Sequence, residues 1–299
     1  MSIRIGISGW QYAPWRGVFY PKGLPQREQL SYVASAFPVV EINGSFYSLQ
    51  RPASYERWYQ ATPKGFVFCV KGPRYITHML RLKNIDVPLA NFLASGLLAL
   101  RNKLGPILWQ FPPGFRYEYG RMRQFFALLP RDTVAATRLA GRHERWLRNR
   151  VCLETDARRV IRHAVEVRDN SFVDGSFIRL LRDENIALVV AESARHWPML
   201  QDVTADFIYL RLHGDKELYR GGYGDAALKR WGRRIAAWAR GGEPRDAVRV
   251  AARSPVAARE RDVFCFFDNT DVKLRAPVDA RSLMCKLKVQ WPPQPRRKA

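Results

Sequence analysis

Cysteine, histidine and acidic side chains are all scarce in this chain of 299 residues, and no long hydrophobic run occurs. The four cysteines, Cys69, Cys152, Cys265 and Cys285, are widely scattered with no Cys-x-x-Cys pair, which argues against a cysteine-based zinc site. Two of them lie in apolar, strand-like runs, as small core residues do in a reducing cytoplasm. No window approaches the ~18 uninterrupted apolar residues of a membrane span. The start, Met1-Ser-Ile-Arg-Ile-Gly-Ile7, is strand-like and lacks the layout of a secretory signal. The Gly-x-Gly-x-x-Gly phosphate fingerprint of dinucleotide-binding sheets is missing too, because Gly6-Ile-Ser-Gly9-Trp10 follows the first apolar run.

The shortage of acids leaves 27 Asp+Glu against 50 Lys+Arg, a formal net charge of +23. Of the 50 cations, 39 are Arg and 11 are Lys. Such a balance argues against acidic disordered tails and against strongly basic partners. It permits nucleic acid, an anionic membrane surface or phosphorylated ligands, since a positive potential raises affinity for any polyanion. The preference for Arg over Lys is explained equally well by genome base composition. With 47% hydrophobic and 12% aromatic residues, global disorder is excluded.

Short apolar runs rich in β-branched and aromatic residues recur at 3–7, 39–42, 66–70, 106–111, 164–167, 187–190, 207–212 and 263–267, and read as buried strands. Between them lie helix-compatible stretches at 24–37, 53–60, 89–103, 119–129, 176–184, 225–240 and 276–286. In the first, Leu30, Val33, Ala34 and Phe37 have the spacing of a helix burying one face. Eight strands alternating with helices predict an α/β fold, a (β/α)8 TIM-type barrel, in preference to a doubly wound open sheet. Two longer gaps are rich in Arg and Ala. Residues 131–162 hold nine Arg against four acids, and residues 240–261 hold six Arg against three. They read as insertions in a single barrel domain spanning 1–290, with a disordered basic tail over 291–299.

In a parallel barrel the functional face lies where strands end and βα loops begin. The polar residues there are Ser8, Glu41 with Asn43 and Tyr47, Lys71 followed by His78, Gln110, Glu166 with Arg168, Glu192, Arg211 with His213, and Asp268 with Asn269. Glu41 and Asn43 point the same way by alternation, as do Glu166 and Arg168, and Arg211 and His213. Charged pairs ending apolar strands are costly to bury, so their convergence on one mouth is the economical explanation. A closed salt-bridge network in which Glu41 pairs with Lys71 or Arg168 is the bland alternative. One chemical reading is a divalent metal held by Glu166, Glu192, His213 and Asp268. The metal-free reading needs no cofactor. There Glu41, Glu166 and His213 transfer protons, while Lys71, Arg168 and Arg211 bind a phosphate or carboxylate. Asn43, Tyr47, His78, Gln110, Asp268 and Asn269 complete the ligand shell on this reading.

The motifs resemble a known family. Gly6-Ile-Ser-Gly-Trp10, Trp15-Arg-Gly-Val-Phe-Tyr-Pro21 and Val40-Glu-Ile-Asn-Gly-Ser-Phe-Tyr47 resemble the YecE-like family, also called domain of unknown function 72. The likeness continues through Phe68-Cys-Val-Lys-Gly-Pro-Arg-Tyr-Ile-Thr-His78, Leu108-Trp-Gln-Phe-Pro-Pro113, Val165-Glu-Val-Arg168, Tyr209-Leu-Arg-Leu-His-Gly214 and Phe266-Phe-Asp-Asn269. It implies a TIM-type barrel and no established reaction. That barrel is similar to those of endonuclease IV and xylose isomerase, an associational link to nucleic acid or sugar phosphates. Two departures fall near the mouth and bear on ligand specificity. Asp169-Asn-Ser-Phe172 stands where the family usually carries His-Pro-Ser-Trp, and Lys273-Leu274 and Asp279 stand where a Gly and an Asn are usual.

Three functions follow as expectations. The first is a mouth that binds a phosphate-bearing ligand, plausibly nucleic acid, with acid/base hydrolytic chemistry. The second is a metal-dependent sugar isomerase or epimerase, and the third a non-enzymatic binding module.

Overall fold

The computed structural model describes residues 2–147, 150–219, 221–252, 260–269 and 274–292. Its eight parallel strands close a barrel in chain order. They are β1 (Ile3–Ser8), β2 (Val39–Ile42), β3 (Val67–Lys71), β4 (Leu104–Gln110), β5 (His163–Glu166), β6 (Ala187–Glu192), β7 (Phe207–Leu212) and β8 (Asp262–Phe267). β8 returns to β1 with Ile3 opposite Val263 and Ile7 opposite Phe267. Each of the eight runs expected from sequence is a strand, with ends within two residues.

The surrounding helices are α1 (Gln29–Ala36), α2 (Gly44–Tyr47), α3 (Pro52–Gln60), α4 (Asp86–Ala94), α5 (Tyr119–Leu128), α6 (Thr133–Ala140), α7 (Gly175–Asp183), α8 (Asp225–Ala239) and α9 (Ala276–Lys286). The stretch 89–103, read as one helix, is broken. α4 stops before Gly96, whose φ of +109° only glycine adopts freely, and whose missing Cβ would stand 2.5 Å from Pro52 Cα. A 3-10 segment then runs over Leu97–Lys103. α6 arises inside the first Arg-rich stretch, where the Asp132 carboxylate caps it by accepting from Ala135 N at 2.8 Å. In the second stretch, the Asp202 carboxylate accepts from Val250 N and Ala251 N. Residues 253–259 and Lys273 lie outside the described residues. Trp291, the first residue of the expected tail, donates its Nε1–H to Ala34 O at 2.8 Å, and 293–299 also lie outside the described residues.

Alternation along the strands builds two apolar shells. Ile5, Ile7, Val40, Phe68, Val70, Trp109, Val165, Val190, Leu210 and Phe267 face the helices. Val39, Cys69, Leu108, Ala164, Val189, Tyr209, Phe264 and Phe266 form a second cluster, which fills the lumen. The lumen interdigitates large and small side chains. Phe207, Tyr209, Phe264 and Phe266 on β7 and β8 face Ala164, Ala187 and Ala191 on β5 and β6. At the bottom, Asp262 accepts from Ser2 N and from Arg162 Nη1, tying strand β8 to the chain start. No described helix is long and apolar enough to cross a membrane.

Candidate functional site

The parity that sends Val39, Cys69, Leu108, Ala164, Tyr209 and Phe266 into the lumen sends the residue two positions later to the same side. These are Glu41, Lys71, Gln110, Glu166, Arg211 and Asp268, and with Ser8 on β1 they form the top layer of the barrel. The geometry follows from the sequence pattern. Its electrostatics follow from which of these groups touch.

Arg211 occupies the centre and is 1% exposed. Its Nε and Nη2 grip Glu41 in a two-pronged contact, at 3.1 Å to Oε2 and 2.9 Å to Oε1. Nη1 donates to Glu166 Oε2 at 2.6 Å, and Nη2 also reaches Asp268 Oδ2 at 2.9 Å. The remaining Nη1 direction meets His213 Nε2 at 3.4 Å. An Nε2 that accepts leaves the ring proton on Nδ1, which lies 3.0 Å from Asp268 Oδ2 without good hydrogen-bond alignment. Glu41 takes two further hydrogen bonds, from Ser8 Oγ at 2.5 Å and from the Tyr209 hydroxyl at 2.7 Å. Burial, then the Glu41 carboxylate, push the Tyr209 phenol well up, so it serves as a donor. Burial opposes ionisation of Glu166, but Arg211 and Arg168 outweigh it and hold this carboxyl well below its usual range. Asp268 is likewise held low, with Arg211 and His213 overcoming its burial.

A roof of side chains covers this layer. Arg168 pairs with Glu166 Oε1 at 2.7 Å, lies 4.1 Å from the centre of the Trp197 ring, and reaches the Tyr219 hydroxyl at 3.4 Å. Trp197 and Tyr219 each present an edge-to-face contact to His213, with ring centres 5.4 Å apart. His213 is therefore enclosed by aromatic rings, two carboxylates and Arg211.

Lys71 differs from the other two cations. It is 7% exposed, yet its ammonium makes no hydrogen bond or ion pair with any described residue. It rests 4.0 Å from the centre of the Phe46 ring, which the short helix α2 delivers directly after β2. Burial and then Arg211 bring its pKa from 10.5 to about 8, against the pull of Glu41, Glu166 and Asp268. His78 packs edge-to-face on the same Phe46 ring and is brought to about 4 by burial, then by Lys71, Arg168 and Arg74. Burial is the main cause, and the three cations add to it against the opposing pull of Glu166.

The structure brings Glu41, Glu166, Arg168, Arg211, His213 and Asp268 into one cluster, with Lys71, Asn43 and Gln110 at its margin. Asn43 Nδ2 donates to Ser8 Oγ at 2.9 Å. It does not bring in Glu192, which has the opposite parity on β6 and turns outward to accept from Trp231 Nε1 of α8. Burial raises the Glu192 carboxyl to about 7. Asn269 also faces away, bonding Asp279 Oδ2 at 2.8 Å and Gly221 O at 3.1 Å. Tyr47 is exposed on the wall of a neighbouring cleft. With Glu192 elsewhere, the expected metal set loses a ligand, and one oxygen of each of its other two carboxylates is already held by Arg211. Among the described residues no three of His, Cys, Asp and Glu are arranged to hold a metal ion. At the departures from the family pattern, Asp169 caps a short turn through Ser171 N, Phe172 stacks on Phe111, and Asp279 accepts from Tyr223 N.

Reading strand ends for polar groups gives Phe46 no role and passes over Tyr209, Trp197 and Tyr219. Alternation from Arg211 gives Tyr209 directly. The other three come from loops and a short helix, whose side-chain directions carry no period in the sequence.

A family model described as "Protein of unknown function DUF72" matches residues 4–299. The UPF0759 protein YunF of Bacillus subtilis is 33% identical over 124 residues, covering 38% of this chain and 41% of that protein. The UPF0759 protein YecE of Escherichia coli K12 is 31% identical over 188 residues, covering 56% of this chain and 65% of that protein. The chain thus spans less than two thirds of the length of the curated relatives it matches. A solved DUF72 family protein of Thermotoga maritima superposes with a TM-score of 0.72 at 22% identity, covering 96% of this chain and 100% of that one. Another, from Enterococcus faecalis, gives 0.69 at 15% identity over 99% of both chains. At such identities the likeness is one of fold.

Proposed function

The chain belongs to the DUF72 family of proteins of unknown function, and from that premise we propose that its barrel mouth binds a small phosphate-bearing ligand through Lys71. The observation that carries the reading is Lys71, a residue only 7% exposed whose ammonium has no acceptor among the described residues and keeps an opening to solvent. A largely desolvated cation with open donor positions is costly to keep, and a ligand oxygen entering from the solvent side would satisfy it. The positive surroundings of His78 support an anion at that place.

The geometry favours a narrower set of anion binders than the strand ends suggest. Arg211 has no N–H direction left for a ligand, and Arg168 offers only the side not turned to Glu166 and Tyr219. Glu41 and Glu166 are clamped by Arg211, and the two ring nitrogens of His213 are turned to Arg211 and Asp268, so the reading is one of binding and assigns no proton-transfer step. The four thiols are free, which accords with a cytoplasmic setting.

The test is calorimetric titration with inorganic phosphate and ribose 5-phosphate at pH 7 and pH 9.5. Binding should weaken as pH rises through about 8, where Lys71 loses its proton, and not wait for the ordinary lysine range near 10.5. Lys71→Met should reduce affinity roughly tenfold or more, about 1.4 kcal/mol. Unchanged affinity in that variant would remove Lys71 from the site.

A further inference from the structure

We infer that the cleft beside the mouth seats a planar heteroaromatic ring, so that the ligand is an anion of the mononucleotide kind. This rests on the anion-binding reading of Lys71 and adds what the rest of the ligand must be.

The cleft has a volume of about 810 Å3, the size of a small-molecule site. Of the twelve exposed large hydrophobic residues among those described, five line it: Tyr47, Tyr75, Met79, Val87 and Trp146. A soluble surface scatters such residues singly, and their gathering in one concavity marks a contact site. Three of the five are aromatic and offer faces on which any flat ring can stack.

Trp146 shows that the cleft is built. Its side chain is 62% exposed, yet the indole is fixed, because Nε1–H donates to Glu144 Oε2 at 2.9 Å. The same oxygen accepts from Asn91 Nδ2 at 2.7 Å, while Asn91 Oδ1 accepts from Glu144 N at 2.9 Å. Asn91 is itself buried on α4, so an exposed ring is held by a chain of bonds rooted in the core. Holding a surface indole in one orientation lowers the entropic cost of stacking a ligand on it.

The cleft also has polarity. Phe46 is common to both regions, lining the cleft while carrying the Lys71 ammonium on its ring. Arg74 stands on the cleft wall and makes no ion pair with any described residue. The cations thus lie toward the mouth, and Glu144 lies beside Trp146. An anionic group is drawn to the first end and repelled from the second. Glu144 Oε1 has no donor among the described residues, and can accept from the amino or ring N–H of a heterocycle stacked on Trp146.

The experiment measures affinities of AMP, ribose 5-phosphate and inorganic phosphate for the full chain by calorimetry. AMP should bind about tenfold or more tightly than ribose 5-phosphate. Trp146→Ala should bring AMP down to the ribose 5-phosphate level and leave ribose 5-phosphate unchanged, while Trp146→Phe should retain part of the gain. Equal affinities of AMP and ribose 5-phosphate in the unaltered protein overturn the ring seat alone. AMP binding indifferent to Trp146→Ala does the same. Failure of all three ligands to bind overturns the Lys71 reading together with it.

Discussion

Residue by residue, the mouth separates cations that hold the barrel from one that waits for a partner. Arg211 is the keystone, since replacing it with Met leaves Glu41, Glu166 and Asp268 buried with no guanidinium between them. Arg211→Met should cost at least about 3–5 kcal/mol in chemical denaturation, the loss typical when one partner of a buried pair is removed. An Arg168→Ala plus Arg211→Ala variant would accordingly report on folding before it reports on any ligand. Lys71→Met should act in the opposite direction. The lysine pKa is depressed from 10.5 to about 8 despite three carboxylates nearby, so its surroundings disfavour the charge. The variant should be as stable as the parent at pH 7 or stabler, by up to about 3 kcal/mol at 1.36 kcal/mol per pKa unit. A variant that loses ligand while gaining melting temperature would separate function from fold. His163 gives the clearest pH effect. Trp109 Nε1 donates to its Nδ1 at 3.1 Å, so Nε2–H donates to Pro130 O at 2.8 Å, and the ring is buried neutral. Burial lowers its pKa from 6.5 to about 4. The unfolded ring therefore binds a proton that the folded one refuses between those values, and stability present above pH 6.5 falls as pH drops toward 4. The loss is about 3 kcal/mol at most. His163→Gln, which can accept from Trp109 and donate to Pro130, should flatten this part of the profile in urea melts at pH 7 and 4.5.

At the scale of elements, strand parity explains both what the sequence made legible and what strand-end reading misplaced. Glu41, Lys71, Glu166, Arg211 and Asp268 converge because each stands two places beyond a lumen residue. Glu192 stands one place beyond Ala191, so the same rule turns it toward α8, and the metal set fails for that reason. Asn269 follows Asp268 and is turned outward likewise. Where side chains leave the strands, the rule ends. Phe46 depends on α2, Trp146 on a 3-10 turn, and Tyr219 on a loop where its φ is +59°. Strand packing also makes a prediction. A Cβ on Gly6 of β1 would stand 2.0 Å from Val39 O of β2, a backbone atom held by the barrel. Gly6→Ala should therefore force β1 and β2 apart and cost about 3 kcal/mol or more, as overpacking does when only backbone can move. Denaturation of that variant beside Gly224→Ala, where φ is −66° and a Cβ meets nothing within 4 Å, separates the clash from the backbone effect of losing a glycine.

For the whole molecule, the closing contacts join distant ends of the chain. Trp291 reaches across to Ala34 O, and its ring lies 6.4 Å from that of Phe66, so the segment after α9 is tied to the layer of α1 and β3. Trp291→Ala should lower the melting temperature by several degrees, at roughly 2–4 °C per kcal/mol for a large domain. The sequence by itself determined the barrel, since eight apolar runs separated by amphipathic stretches have few other ways to bury both strand faces. It also determined which strand-end residues share the lumen, because a period of two leaves no freedom there. It could not determine the meaning of the +23 charge, nor which of Lys71, Arg168 and Arg211 stays open to a ligand. Those three look alike as letters. Only tertiary structure decided that Arg211 and Arg168 are enclosed by carboxylates and rings while Lys71 meets the face of Phe46. The physical reason is that a buried cation's role depends on which acceptors lie within about 3 Å, and contacts between strands far apart in the chain set that distance.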